Sequence, residues 1–205
     1  MAHAHGLVDR SIVRSRAGLR AVGASLLVLG LTAAGQAVVL VLSGSVALLA
    51  DLIHNAGDAA TALPLGLAFL LRSERAERWA GVAVVGAIAV SACVAGVEAV
   101  DRLVHPQTPD ALGALAAAGG LGFFGNLAAS RVRLRAGRRL GSPALVADGN
   151  HARADAWVSL GVVASAAALT LGAEVADPLI GLAITALILR ITWASWQTVH
   201  HGHHH

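Results

Sequence analysis

Two apolar stretches of this 205-residue chain carry polar side chains of metal-binding type at matched spacing. SVALLADLIHNAGDA (Ser45–Ala59) holds Asp51, His54, Asn55 and Asp58, and SPALVADGNHARADA (Ser142–Ala156) holds Asp148, Asn150, His151, Arg153 and Asp155. They align without gaps at an offset of 97 residues, with eight of fifteen positions identical. Each contains His-x-x-x-Asp, and on a helix residues four apart share a face. Two imidazoles with two carboxylates make a four-ligand set suited to tetrahedral Zn²⁺, at bond lengths of about 2.0–2.2 Å. The imidazoles favour Zn, Co, Ni and Fe over Mg²⁺ and Ca²⁺, which prefer oxygen shells. The alternative is a buried polar network that only locks helices together.

The elements around these residues are read from hydropathy. The chain is 56% hydrophobic and 13% charged, about half the charge of a typical soluble domain. Six apolar blocks, near Gly18–Leu42, Ser45–Leu71, Trp79–Val100, Ala111–Ala129, Pro143–Leu171 and Ala176–Ile191, are each long enough to cross a ~30 Å hydrocarbon core as a helix. They are too long for barrel strands, which leaves helices as the spanning structure. The expected fold is all-α, a bundle of six transmembrane helices. Its expected parts are an N-terminal cytoplasmic segment (1–17), the membrane domain (18–197) and a His-rich cytoplasmic tail (198–205).

There is no lysine, and the arginines cluster at Arg10–Arg20, Arg72–Arg78, Arg131–Arg139 and Arg190. With six crossings these positions fall on one side, which predicts cytoplasmic termini in the cell (inner) membrane. The pI near 10.9 therefore reflects topology, and nucleic acid is excluded as a partner. Block one is too long for a cleaved signal peptide. The single cysteine, Cys93, permits no intrachain disulfide. Trp79, Trp193 and Trp196 fall at the expected cytoplasmic edges, where indoles anchor.

Three crossings separate the two polar stretches, so their helices run antiparallel, as in the inverted repeats of transporters. This is an inverted-repeat relation between helices 2 and 5. His54 and His151 each lie nine residues beyond the serine that opens their stretch, about 14 Å from opposite membrane surfaces. The expected metal ligands are therefore His54, Asp58, His151 and Asp155, meeting near the bilayer midplane. Intramembrane ionisable groups point to function by default. Asp51 and Asp148, three residues before each histidine, are expected to support the ligands or line an ion path. Asn55 and Asn126 are expected to orient a ligand or bind a water, while Arg153 and Gln36 read as structural.

SGSVALLADLIHNAGDA and SPALVADGNHARADAWVSLGV resemble the cation diffusion facilitator family, six-helix metal–proton antiporters with His-x-x-x-Asp or Asp-x-x-x-Asp on the second and fifth helices. GVEAVDRLVHP (Gly96–Pro106) and ADPLIGLAIT (Ala176–Thr185) add to the likeness, which runs from about Gly18 to Trp196. The resemblance implies export of a divalent cation, zinc foremost and Co, Ni, Fe or Cd as further cargo, in exchange for protons. It implies a homodimer in the lipid bilayer, no prosthetic cofactor, and His54, Asp58, His151 and Asp155 as transport ligands.

The expectation is a member lacking the cytoplasmic metal-binding domain that usually follows helix six, either short or truncated. His200, His201, His203, His204 and His205 would then gather metal at the cytoplasmic mouth or be an affinity-tag remnant. A metal sensor, scaffold or intramembrane metalloenzyme is the alternative function. No His-Glu-x-x-His and no P-loop motif is present, which argues against a zincin-type enzyme and an ATP-driven pump.

Overall fold

The computed structural model describes residues 10–43, 62–105, 111–173 and 176–201. Six helices lie among the described residues: α1 (Arg10–Ser43), α2 (Ala62–Leu71), α3 (Glu74–Val104), α4 (Leu112–Leu140), α5 (Pro143–Thr170) and α6 (Ala176–His201). No strand occurs among the described residues, and the fold is an all-α bundle. Among the described residues five segments, Arg16–Leu42, Glu74–Asp101, Leu112–Leu140, Pro143–Thr170 and Leu179–Gln197, are long and apolar enough to span a membrane. α2 is the end of the second apolar block. The rest of that block, with the repeat Ser45–Ala59, lies outside the described residues.

Local chemistry sets the turns. Between α4 and α5, Gly141 takes a left-handed φ of 60°, which glycine adopts without a Cβ clash. The Ser142 amide donates back to the Gly137 carbonyl at 2.9 Å. The Ser142 hydroxyl accepts from the Leu145 amide at 3.2 Å, and Pro143 opens α5, where a missing N–H costs nothing. Between α2 and α3, Ser73 caps α3 by accepting from the Ala76 amide at 3.2 Å. Ser142 also donates to the carboxylate of Glu77 in the first turn of α3. That bond places the α2–α3 and α4–α5 turns, both bearing arginines, at the same end of the bundle.

The helix outruns its apolar block. The fourth apolar block ends near Ala129, with the arginines from Arg131 to Arg139 beyond it, but α4 continues through them to Leu140. Arginine is a good helix former, and no residue leaves the right-handed helix before Gly141. The connection shortens to a tight turn, and Arg133 is carried into the bundle.

α5 sits at the centre, packed against α4 and α6 most extensively and against α3 and α2 as well. Two apolar clusters flank it. One joins Val84, Ile88 and Ala92 of α3 with Ala147 and Ala154 of α5 and Ile188 and Ile191 of α6. The other joins Val22, Leu65, Phe69 and Ala80 with Ala144 and Leu145. Leu27, Leu31, Val41, Leu67, Val90 and Val97 are exposed, forming an apolar perimeter suited to lipid, while small residues bring helices together inside.

α4 and α5 approach each other backbone to backbone. A Cβ added at Gly149 would lie 2.9 Å from the Leu134 backbone nitrogen, and one at Gly137 would lie 2.9 Å from that of Val146. Neither backbone can yield as a side-chain tip can. Gly149→Ala is therefore expected to destabilise the fold by about 1–3 kcal/mol, the usual range for overpacking. Thermal unfolding in detergent would show a lowered midpoint, and an unchanged midpoint would mean that α4 and α5 can separate freely.

Candidate metal centre

His151 and Asp155 lie one turn apart on α5, 1% and 8% exposed. Their Nδ1 and Oδ1 atoms are 3.7 Å apart. That exceeds a hydrogen bond and is close to the ~3.4 Å that separates two ligands of one tetrahedral zinc ion with bonds near 2.1 Å. Counting from the Ser142 cap, His151 is about 14 Å along α5, roughly a third of the way from its start. Among the described residues no third His, Cys, Asp or Glu groups with this pair. His54 and Asp58, the other two expected ligands, lie outside the described residues, as do Asp51 and Asn55.

Asn126 is buried on α4. The two helices run antiparallel in a legible register: Gly137 meets Val146, Gly122 meets Ser159, and Arg133 meets Asp148. The same register sets Asn126 level with Asp155, as a group supporting the site requires. Further from the Gly141 end, the Gln36 side-chain amide donates to the Ala118 carbonyl at 3.2 Å, tying α1 to α4.

Asp148 has a defined engagement. Its Oδ1 accepts from Arg133 Nη1 at 3.1 Å, and both side chains are buried. Arg133 Nε donates to the Ser25 hydroxyl at 2.8 Å, and that hydroxyl donates to the Val22 carbonyl at 2.8 Å. Beside it the Ser130 hydroxyl donates to the Gly149 carbonyl at 2.7 Å. Ser25, Arg133 and Asp148 thus join α1, α4 and α5 one turn nearer the Gly141 end than His151. Sequence reading missed Arg133 as a site neighbour. The signal was its place among Gly119, Gly122, Asn126, Ser130 and Gly137, which recur every three or four residues and form the buried face of α4.

A multi-span α-helical bundle with an inward-facing His/Asp pair on its central helix is the class of protein defined here. Residues 22–196 match the cation efflux transmembrane domain family. The chain belongs to that family, the cation diffusion facilitators, and is a multi-pass membrane protein. Two relatives named "Probable cation efflux system protein", from Mycobacterium tuberculosis strains CDC 1551 / Oshkosh and ATCC 25618 / H37Rv, are each 49% identical over 195 residues. Each alignment covers 90% of this chain and 59% of the relative. An "Uncharacterized transporter" of Synechocystis sp. is 33% identical over 177 residues, covering 80% of this chain and 55% of that protein. The chain spans less than two thirds of the length of the curated relatives it matches.

Proposed function

We infer that this chain exports Zn²⁺ from the cytosol in exchange for protons, with Co²⁺, Ni²⁺, Fe²⁺ and Cd²⁺ as further cargo. The ion is held by His54, Asp58, His151 and Asp155. Asn55 and Asn126 orient ligands or water around it, and Asp51 lines the path. The observation that carries the reading is the burial of His151 and Asp155, 3.7 Å apart, on the central helix. A copy of the same motif lies 97 residues earlier, and the chain belongs to a cation efflux family.

The protein works as a homodimer in the inner membrane, with both termini in the cytoplasm. Support for this orientation comes from the Glu77–Ser142 bond, which groups the Arg72–Arg78 and Arg138–Arg139 positions at one end, and from the preference of arginine for the cytoplasmic side. Arg139 is exposed in the last turn of α4. In a Cys93→Ala background, Arg139→Cys is expected to react with a membrane-impermeant maleimide only from the cytoplasmic side. Reaction only from outside would reverse the topology.

Zinc movement into sealed proteoliposomes containing a zinc-sensitive dye tests the function itself. Protein-dependent flux is the expected result. Stoichiometric zinc binding without flux would instead support a sensor or scaffold.

A further inference from the structure

Arg133 and Asp148 are 1% and 0% exposed, a charged pair enclosed by α1, α4 and α5. Asp148 is three residues before His151, so the two side chains share one face of α5. An ionised carboxylate there would extend the His151–Asp155 face by a further oxygen ligand, one turn along the path of a dication. Buried arginine is costly in a membrane bundle, and a role limited to tying helices would be expected to use its whole fork. Nε and Nη1 are bonded to Ser25 and Asp148, but Nη2 has no hydrogen-bond acceptor among the described residues. What Arg133 delivers at this position is its charge.

We propose that Arg133 is a built-in counter-ion that keeps Asp148 from ligating the transported metal, so that the α5 face holds one dication at His151–Asp155 and not two. The inference rests on the reading of His151 and Asp155 as zinc ligands. Arg133 is a specificity-determining residue here: it sets how many ions bind, and it favours an imidazole-containing site over an oxygen-rich one. The arrangement is a neutral pair, so a zinc ion at His151 feels little net charge from it. Removing the Asp148 carboxylate exposes the charge of Arg133.

The purified full chain, titrated with Co²⁺ and Zn²⁺, provides the test, each variant being compared with the unsubstituted chain. Arg133→Gln should bind one additional Co²⁺, with the weak absorption of an oxygen-rich six-coordinate centre beside the strong tetrahedral bands. Arg133→Lys should keep the original stoichiometry. Asp148→Asn leaves Arg133 uncompensated about one turn from the zinc ion, and zinc affinity should fall at least ~10-fold by Coulomb repulsion in a partly desolvated interior. The double variant Arg133→Gln/Asp148→Asn, neutral at both positions, should restore both affinity and stoichiometry.

Should Arg133→Gln not fold, the affinities of Asp148→Asn and the double variant carry the test. Unchanged stoichiometry in folded Arg133→Gln, or unchanged affinity in Asp148→Asn, would overturn the proposal and leave Arg133 a helix tie. If instead His151→Ala costs the protein no metal and no tetrahedral bands, the zinc-ligand reading fails, and the role of Arg133 that rests on it falls with it.

Discussion

His151→Ala and Asp155→Ala are each expected to lower zinc transport by ~100-fold or more. Groups that merely orient metal ligands cost 10–100-fold when removed, so loss of a ligand sets the larger effect. Both side chains are buried at the centre of the bundle, where no solvent-exposed group can substitute for the missing donor. His54→Ala and Asp58→Ala should match them, since the repeat gives them equal standing in a four-ligand shell. His54→Asp should behave differently, retaining a site while shifting preference from zinc toward metals that accept more oxygen ligands. Initial rates of zinc and manganese uptake into proteoliposomes, normalised to folded protein, would measure both effects. Near-normal zinc flux in both histidine-to-alanine variants would remove the imidazoles from the shell.

Proton coupling is the second large effect. Zinc binds the neutral imidazole, so protons and metal compete for the histidines, and an ordinary histidine titrates near pH ~6.5. Once zinc has left, two carboxylates stand uncompensated in a low-dielectric region, and proton uptake lowers the cost of returning the empty site. Protons taken up outside are displaced by zinc arriving from the cytosol. A proton gradient directed into the cell is therefore expected to drive zinc out. With protein oriented so that its cytoplasmic face meets the external medium, acidifying the vesicle lumen should accelerate zinc entry and alkalinise the lumen. Dissipating the gradient with an ionophore should return zinc entry to its basal rate. Zinc flux indifferent to an imposed gradient, with no counter-movement of protons, would describe a facilitator.

Much of this was legible in the residues because membrane helices announce themselves by length and apolarity. α5 was expected over Pro143–Leu171 and runs Pro143–Thr170, because Ser142–Pro143 forms a strong start signal and Gly172 takes a left-handed φ at the end. α4 was harder. Its apolar run ends near Ala129, and hydropathy cannot tell a cytoplasmic loop rich in arginine from a helix that carries arginine on its outer face. Arg131, Arg135, Arg138 and Arg139 are exposed, while Arg133 is buried. Only the 3.6-residue stripe of glycines and small residues separates the two cases. The Glu77–Ser142 bond was illegible for another reason: two sequence-distant polar residues meet only once α3 and α5 are placed. The His/Asp spacing, being a matter of one helical turn, was readable directly and emerges as a buried pair.

Zinc-edge X-ray absorption at one equivalent of metal, on protein whose tail histidines from His200 to His205 are replaced by serine, tests the four-ligand site most directly. Such a site gives four nitrogen and oxygen neighbours at about 2.0–2.2 Å, with the outer-shell scattering of two imidazoles. His151→Ala should remove one imidazole contribution. A six-oxygen shell, or a spectrum that His151→Ala leaves unchanged, would contradict it.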